Sequence, residues 1–298
     1  MNVLERAVLS TLPAVPKPIM RRLSARYIAG ERLDEAIAKL ESLQARGFPG
    51  VLDILGEDVA DEAEARDVLR TYSEAATAVH AKGLDSYVSV KPTHFGLRIS
   101  RDLSQELYEE LCAHCADIGV FCRVEMEDHT TTDDTLQIFA ALRAKFDNVG
   151  IVLQARMFRT PDDIAALPPE CDVRMVKGIY LEPAEIAHTE PGPIRDAFIE
   201  QTATLLRGGH TVAVATHDRA MADAVLAKHA ETGVPDDRTY FEVLLGVQEK
   251  LWEVLRGRGK TVRAYVPYGP DWRAYSLRRL KYNPEILRHV IKATLRLG

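Results

Sequence analysis

The segment Tyr265-Val266-Pro267-Tyr268-Gly269-Pro270-Asp271-Trp272-Arg273-Ala274-Tyr275-Ser276-Leu277-Arg278-Arg279 carries the residues whose types and spacing point most directly to chemistry. A strand-like run over 261–266 ends at an aromatic, a Pro/Gly turn follows, and a helix is expected to begin. On that helix Tyr275, Arg278 and Arg279 stand at i, i+3 and i+4, so their side chains share one face. Arginine grips a carboxylate through two parallel hydrogen bonds, which makes the pair a candidate anion clamp. A solvated basic face is the plainer reading, because charge runs usually are that. Where the segment sits decides between them.

The elements that must position it alternate regularly. Past an N-terminal helical region reaching about residue 45, strand candidates fall at 50–54, 86–90, 120–124, 150–153, 172–176, 211–215, 240–243 and 261–266. Helical patterns follow at 61–81, 104–116, 132–145, 161–167, 193–207, 219–232, 247–256 and 271–280. Asn283-Pro284 then reads as the cap and first turn of a final helix reaching Leu295. Eight βα units in roughly 250 residues fit an α/β protein of the (β/α)8 barrel type. A doubly wound open sheet is the alternative, because counting units does not show closure. The expected organisation is a helical arm over 1–45 and one catalytic barrel over 46–298, ending in a C-terminal helix.

In a barrel the chemistry lies at the carboxyl ends of the strands. Those ends carry Gly56-Glu57, Lys91, Glu125-Met126-Glu127-Asp128, Gln154, Lys177-Gly178, Thr216-His217, Glu242 and Tyr265. Arg174 is the conspicuous charge inside a strand pattern, and a buried guanidinium needs partners. It reads either as half of a structural ion pair or as a cation facing an electron-accepting cofactor. Lys91 and Lys177 at strand ends also suit Schiff-base chemistry, which makes a lysine-dependent lyase the cross-class alternative.

Composition narrows the choices. With 46% hydrophobic and 28% charged residues in 298, the chain has an ordinary soluble globular make-up. It contains no apolar run long enough to span a bilayer. Glu5, Pro13, Pro16 and Pro18 make the N-terminus unlike a signal peptide. A formal charge of −6 argues against a general nucleic-acid binder. From Arg256 to Gly298 there are eleven Lys or Arg against two acids, a positive end suited to a small anionic ligand. Cys112, Cys115, Cys122 and Cys171 read as cytosolic core thiols, so the expected location is cytoplasmic. Cys112-Ala113-His114-Cys115 has zinc-like spacing without a second ligand pair, and no fixed spacing joins His129 or His217 to nearby acids, so no metal is expected. Gly-x-Gly-x-x-Gly and Gly-x-Ser-x-Gly are absent, and Gly259-Lys260-Thr261 lacks the first glycine of a P-loop.

Taken together, these segments resemble the proline dehydrogenase family of flavin enzymes. The matches are Leu55-Gly56-Glu57, Val88-Ser89-Val90-Lys91, Met126-Glu127-Asp128, Val152-Leu153-Gln154-Ala155 with Arg159-Thr160, Val173-Arg174-Met175-Val176-Lys177-Gly178, Ala215-Thr216-His217 and the closing segment. They run in the family's order over roughly residues 45–285. The resemblance implies a distorted barrel with FAD across the strand ends, held by Gln154, Arg174, Lys177, Gly178, Thr216 and His217. It implies that Lys91, Arg278 and Arg279 bind a substrate carboxylate, that Tyr265, Tyr275 and Tyr180 wall the ring, and that Arg174 lies near the flavin's reactive nitrogen. The implied reaction is hydride transfer from L-proline, or a close cyclic analogue, giving 1-pyrroline-5-carboxylate. Electrons would pass on to a quinone or another acceptor, which allows a peripheral contact with the inner membrane face.

Four positions depart from the family pattern. Glu125 stands where Asp is usual, and Ile179 stands where Ala is usual. The run Phe241-Glu242-Val243-Leu244-Leu245-Gly246-Val247 is about two residues short, and Tyr282 replaces an acid after the paired arginines. These changes leave open a biosynthetic relative acting on a different cyclic or secondary amino acid, or a binding protein that has lost flavin.

Overall fold

The computed structural model describes residues 20–21, 24–273 and 275–277. Arg278, Arg279, Tyr282 and the expected final helix lie outside the described residues. Helix α1 (Leu33–Ala45) leads into the strand-and-helix alternation. The strands are β1 (Gly50–Ile54), β2 (Ser86–Val90), β3 (Cys122–Val124), β4 (Val149–Gln154), β5 (Asp172–Val176), β6 (Thr211–Ala215), β7 (Thr239–Leu244) and β8 (Val262–Tyr268). Between them run α2 (Glu62–Ala81), α3 (Arg101–Asp117), α4 (Thr132–Arg143), α5 (Thr160–Ala165), α6 (Pro191–Arg207), α7 (Arg219–Thr232) and α8 (Glu249–Gly257). Each strand pairs in parallel with its sequence neighbours, and β8 returns to β1, so the sheet is a closed (β/α)8 barrel rather than an open one.

Local sequence explains the helix starts. Asp61, Ser100 and Asp218 each accept a hydrogen bond from the backbone N–H three residues on, satisfying a donor that the first helical turn leaves unpaired. In α2 the buried Ala65, Leu69, Tyr72, Ala76 and Val79 recur at three- and four-residue spacing, which lays one face on the sheet. The strands alternate with period two. Leu52, Val88, Val124, Ile151, Val173 and Phe241 belong to the buried apolar core. All four cysteines are buried and unbridged.

At the alternate positions β1, β2, β3, β5 and β7 carry Asp53, Ser89, Arg123, Arg174 and Glu242, and this sets the barrel apart from the usual interior of branched apolar side chains. Arg123 on β3, 0% exposed, places its five N–H donors on Tyr87 Oη (3.0 Å), the Ile151 carbonyl (3.2 Å), the Asp172 carbonyl (3.1 Å), an Asp172 carboxylate oxygen (2.8 Å) and Tyr240 Oη (2.7 Å). Its guanidinium also lies 5.2 Å from the Tyr87 ring centroid and 5.1 Å from that of Phe121. A buried arginine is tolerated when every donor is used and a carboxylate balances the charge, and both conditions hold.

The arm before α1 is tied to the carboxyl end of the barrel. Ala29 N–H donates to the Pro267 carbonyl at 2.9 Å, and Gly269 N–H donates to the Gly30 carbonyl at 3.1 Å. After β7 the chain turns at Gly246 with φ +71°, where a Cβ would lie 2.1 Å from the Arg26 carbonyl oxygen. That turn needs glycine for both its backbone conformation and the closeness of the arm. Among the described residues no helix is long and apolar enough to cross a membrane.

Candidate active site

Arg174, in the middle of β5, reaches across the barrel interior. Its Nε–H donates to Glu242 Oε2 on β7, one terminal nitrogen donates to Glu125 Oε1 at 2.5 Å, and the other reaches Tyr87 Oη at 3.2 Å and Ser89 Oγ at 3.4 Å. The guanidinium also lies 5.1 Å from the Tyr265 ring centroid. Glu125 Oε1 gathers the Ser89 hydroxyl and the Tyr265 hydroxyl, the latter at 3.1 Å. Burial alone would raise the Glu125 carboxyl, but Arg174, then Ser89 and Lys91, hold it below its ordinary range. Burial likewise works against the Arg174 charge, and Glu125 and Glu242 outweigh it. Arg174 is thus ion-paired to two carboxylates.

Lys91, which follows β2, donates to Asp53 Oδ1 on β1 at 3.2 Å. Desolvation disfavours its ammonium form, yet Asp53 and Glu125 raise its pKa above the ordinary lysine value. Asp53 itself, 1% exposed, is pushed up by burial that Lys91 only partly offsets. A lysine held protonated in this way is a carboxylate ligand and a poor Schiff-base nucleophile. Three residues on, His94 is buried beside Gly56, where a Cβ would lie 2.3 Å from His94 Nε2. His94 Nδ1 has no hydrogen-bond partner among the described residues, and desolvation, then Lys91, push its pKa down to about 3.

The ends of β4, β5 and β6 present a second group of donors. Gln154 is fixed by its amide bond to the Glu127 carbonyl at 2.7 Å. Lys177 has no ion-pair partner among the described residues, and Gly178 follows it at φ +97°. A Cβ on Gly178 would lie 2.6 Å from Arg156 Cδ and 2.9 Å from Gln154 Oε1, so this backbone is open only as glycine. Ile179 and Leu181, beside it, are 83% and 81% exposed, an apolar surface at the rim. Thr216 Oγ1 accepts the Asp218 N–H at 3.1 Å, and His217 Nε2 accepts the Leu244 N–H at 3.3 Å. Cations and amides beside an apolar platform suit a ligand with a phosphate and a flat ring.

Lys91, Glu125, Arg174 and Tyr265 thus meet in one connected network, and Gln154, Lys177, Gly178, Thr216 and His217 lie along the adjoining rim. Tyr180, whose carbonyl accepts from Arg156, lies between Ile179 and Leu181, and Tyr275 N–H donates to the Asp271 carbonyl in the helical turn after β8. Sequence reasoning passed over Asp53, Tyr87, Ser89 and Arg123, and read Glu242 only as a strand end. Their signal was the polar residue at every second position of an otherwise apolar strand, which Arg174 displayed no more strongly than Arg123 or Asp53. Glu127 is a structural tie: it accepts the Thr93 N–H and hydroxyl at 2.8 and 2.7 Å.

The chain is similar to known proteins. The chain is 33% identical over 283 residues to a proline dehydrogenase of Deinococcus radiodurans, covering 93% of this chain and 91% of that protein. It is 30% identical over 288 residues to proline dehydrogenase 1 of Bacillus subtilis, covering 96% and 95%. Its fold superposes on proline utilization A from Bdellovibrio bacteriovorus with a TM-score of 0.80 and 23% identity, over 87% of this chain and 32% of that longer one. The proline dehydrogenase family pattern matches residues 36–290, nearly the whole barrel and its flanks, and the chain belongs to that family.

Proposed function

We propose that this protein binds FAD and oxidises L-proline, or a close cyclic analogue, to 1-pyrroline-5-carboxylate. The observation that carries the reading is the buried Arg174–Glu125–Tyr265 network beside a protonated Lys91, at the mouth of a barrel that belongs to this family. The rim fits the cofactor: Lys177 and Gln154 suit the pyrophosphate, Gly178 leaves room for close backbone approach, and Ile179 and Leu181 offer an apolar face. Gln154, Arg174, Lys177, Gly178, Thr216 and His217 would hold it, and it would supply the two-electron acceptor for the substrate's hydride.

The chain's own residues do the rest. Lys91, with Arg278 and Arg279, binds the carboxylate. Tyr265, Tyr275 and Tyr180 flank the ring and exclude water. Arg174 presents a fixed cation where negative charge develops, and Glu125 keeps it and the Tyr265 hydroxyl in place. The substrate amine must be neutral to release hydride, so activity rises with pH up to the bound amine's pKa. Electrons then leave to a quinone or another acceptor.

A second reading, a different cyclic or secondary amino acid, is favoured by one observation. Ile179 stands unpacked at the rim beside the site. Supplying FAD-loaded protein with a dye acceptor and trapping the cyclic imine with o-aminobenzaldehyde tests both. Adduct from L-proline supports the first reading, and adduct only from another cyclic amino acid supports the second.

A further inference from the structure

Among the described residues, Glu242 is the one acid ion-paired to both Arg174 and Arg123. Its Oε2 accepts the Arg174 Nε–H, its Oε1 accepts the Tyr87 hydroxyl, and the same Oε1 lies 3.9 Å from an Arg123 terminal nitrogen. The Tyr87 oxygen closes the circuit, receiving Arg123 Nε at 3.0 Å and an Arg174 terminal nitrogen at 3.2 Å. All four groups are buried, with Glu242 3% and Arg123 0% exposed, so water screens none of these contacts. Arg174 uses four of its five N–H donors on Glu242, Glu125, Tyr87 and Ser89, and one terminal donor has no acceptor among the described residues. The fork is thereby fixed in direction, with a donor left for a ligand. It is also flanked by two carboxylates, so its outward field depends on how much of each acid's charge is taken up elsewhere. Glu125 shares its charge with Lys91 and Tyr265 at the mouth, whereas Glu242 shares its charge with Tyr87 and Arg123 below.

We propose that Glu242 is a positioning residue that fixes Arg174 from below and, with Tyr87 and Arg123, sets the positive potential Arg174 presents to the flavin. The inference rests on the flavin reading above and adds to it residues from the far side of the barrel. Glu242 touches no substrate. It acts through Arg174, and the charge it places there opposes electron uptake by the flavin.

Sulfite affinity and midpoint potential read this directly, without turnover. Sulfite adds to the flavin ring more tightly as the local potential becomes more positive. In E242Q the amide oxygen still accepts the Arg174 Nε–H while a negative charge is lost, so sulfite should bind about tenfold tighter and the midpoint potential should rise. Fully flavin-loaded E242Q with sulfite affinity within about twofold of wild type and an unshifted midpoint potential overturns the inference. If E242Q does not fold, Y87F tests the same circuit with the opposite sign. Losing the Tyr87 donor leaves more of the Glu242 charge on Arg174, so sulfite should bind more weakly, and unchanged affinity overturns the inference. Wild-type protein that takes up no FAD overturns the flavin reading itself, a result distinct from loaded E242Q that behaves as wild type.

Discussion

Arg174 on β5 and Glu125 at the end of β3 meet at 2.5 Å across the barrel, although their strands do not pair with each other. Closure of the sheet brings them together, and the pair then fixes Tyr265 from β8 through the same carboxylate oxygen. Removing one side leaves a buried charge with less compensation. Glu125→Ala should cost about 3–5 kcal/mol of unfolding free energy, and Glu125→Gln distinctly less. Urea denaturation measures both, and a loss below about 1 kcal/mol for the alanine variant would show that Glu242 alone suffices for Arg174.

Gly178→Ala should fold and lose cofactor affinity. The backbone there has φ +97°, and the new Cβ would press on Arg156 Cδ at 2.6 Å and on Gln154 Oε1 at 2.9 Å. Relief moves the segment that carries Lys177, so FAD should bind about tenfold more weakly, matching strain on the order of 1–2 kcal/mol. Flavin fluorescence quenching reports the affinity, and wild-type binding would remove Gly178 from the proposed cofactor site.

His94 should shape acid stability. Desolvation first, and Lys91 second, lower its pKa from 6.5 to about 3, so the folded protein keeps it neutral where the unfolded chain protonates it. Its contribution is fully present above pH 6.5 and is lost as pH falls toward 3, at about 1.4 kcal/mol per pH unit. Between neutral pH and pH 4 wild type should therefore lose about 3 kcal/mol more than His94→Gln. Parallel acid dependence of the two proteins would contradict a buried neutral imidazole.

Ile179→Ala should change substrate choice with little effect on folding. The side chain is 83% exposed, so trimming it removes almost no packing. If it narrows the mouth, the variant should lower KM for proline and for bulkier cyclic amino acids by about two- to tenfold, at unchanged melting temperature. Equal KM values would separate Ile179 from the substrate.

The barrel was legible in the sequence because short apolar runs alternate with helical periodicity, and three helices start at a capping Asp61, Ser100 or Asp218. All eight strand positions agree with the structure to within two residues, the expected start of β3 at 120 moving to Cys122. Candidates for the site could be picked out where residues stand at strand ends, as with Lys91, Gln154 and Lys177. Inside the strands the site was not legible. Asp53 and Arg123 sit in apolar runs, and what makes them partners of Lys91 and Tyr87 is the pairing of β1 with β2 and of β2 with β3, a relation no local spacing encodes. The clamp residues Arg278 and Arg279 lie outside the described residues, so their part of the site rests on the expectation from sequence.

The central claim is that a flavin held at this mouth takes electrons from L-proline. Anaerobic titration of the FAD-loaded protein with L-proline, followed by the visible flavin absorbance, tests it most directly. The account predicts that the oxidised flavin band bleaches on adding proline and returns with an electron acceptor. Loaded protein whose band is unmoved by saturating proline would contradict it.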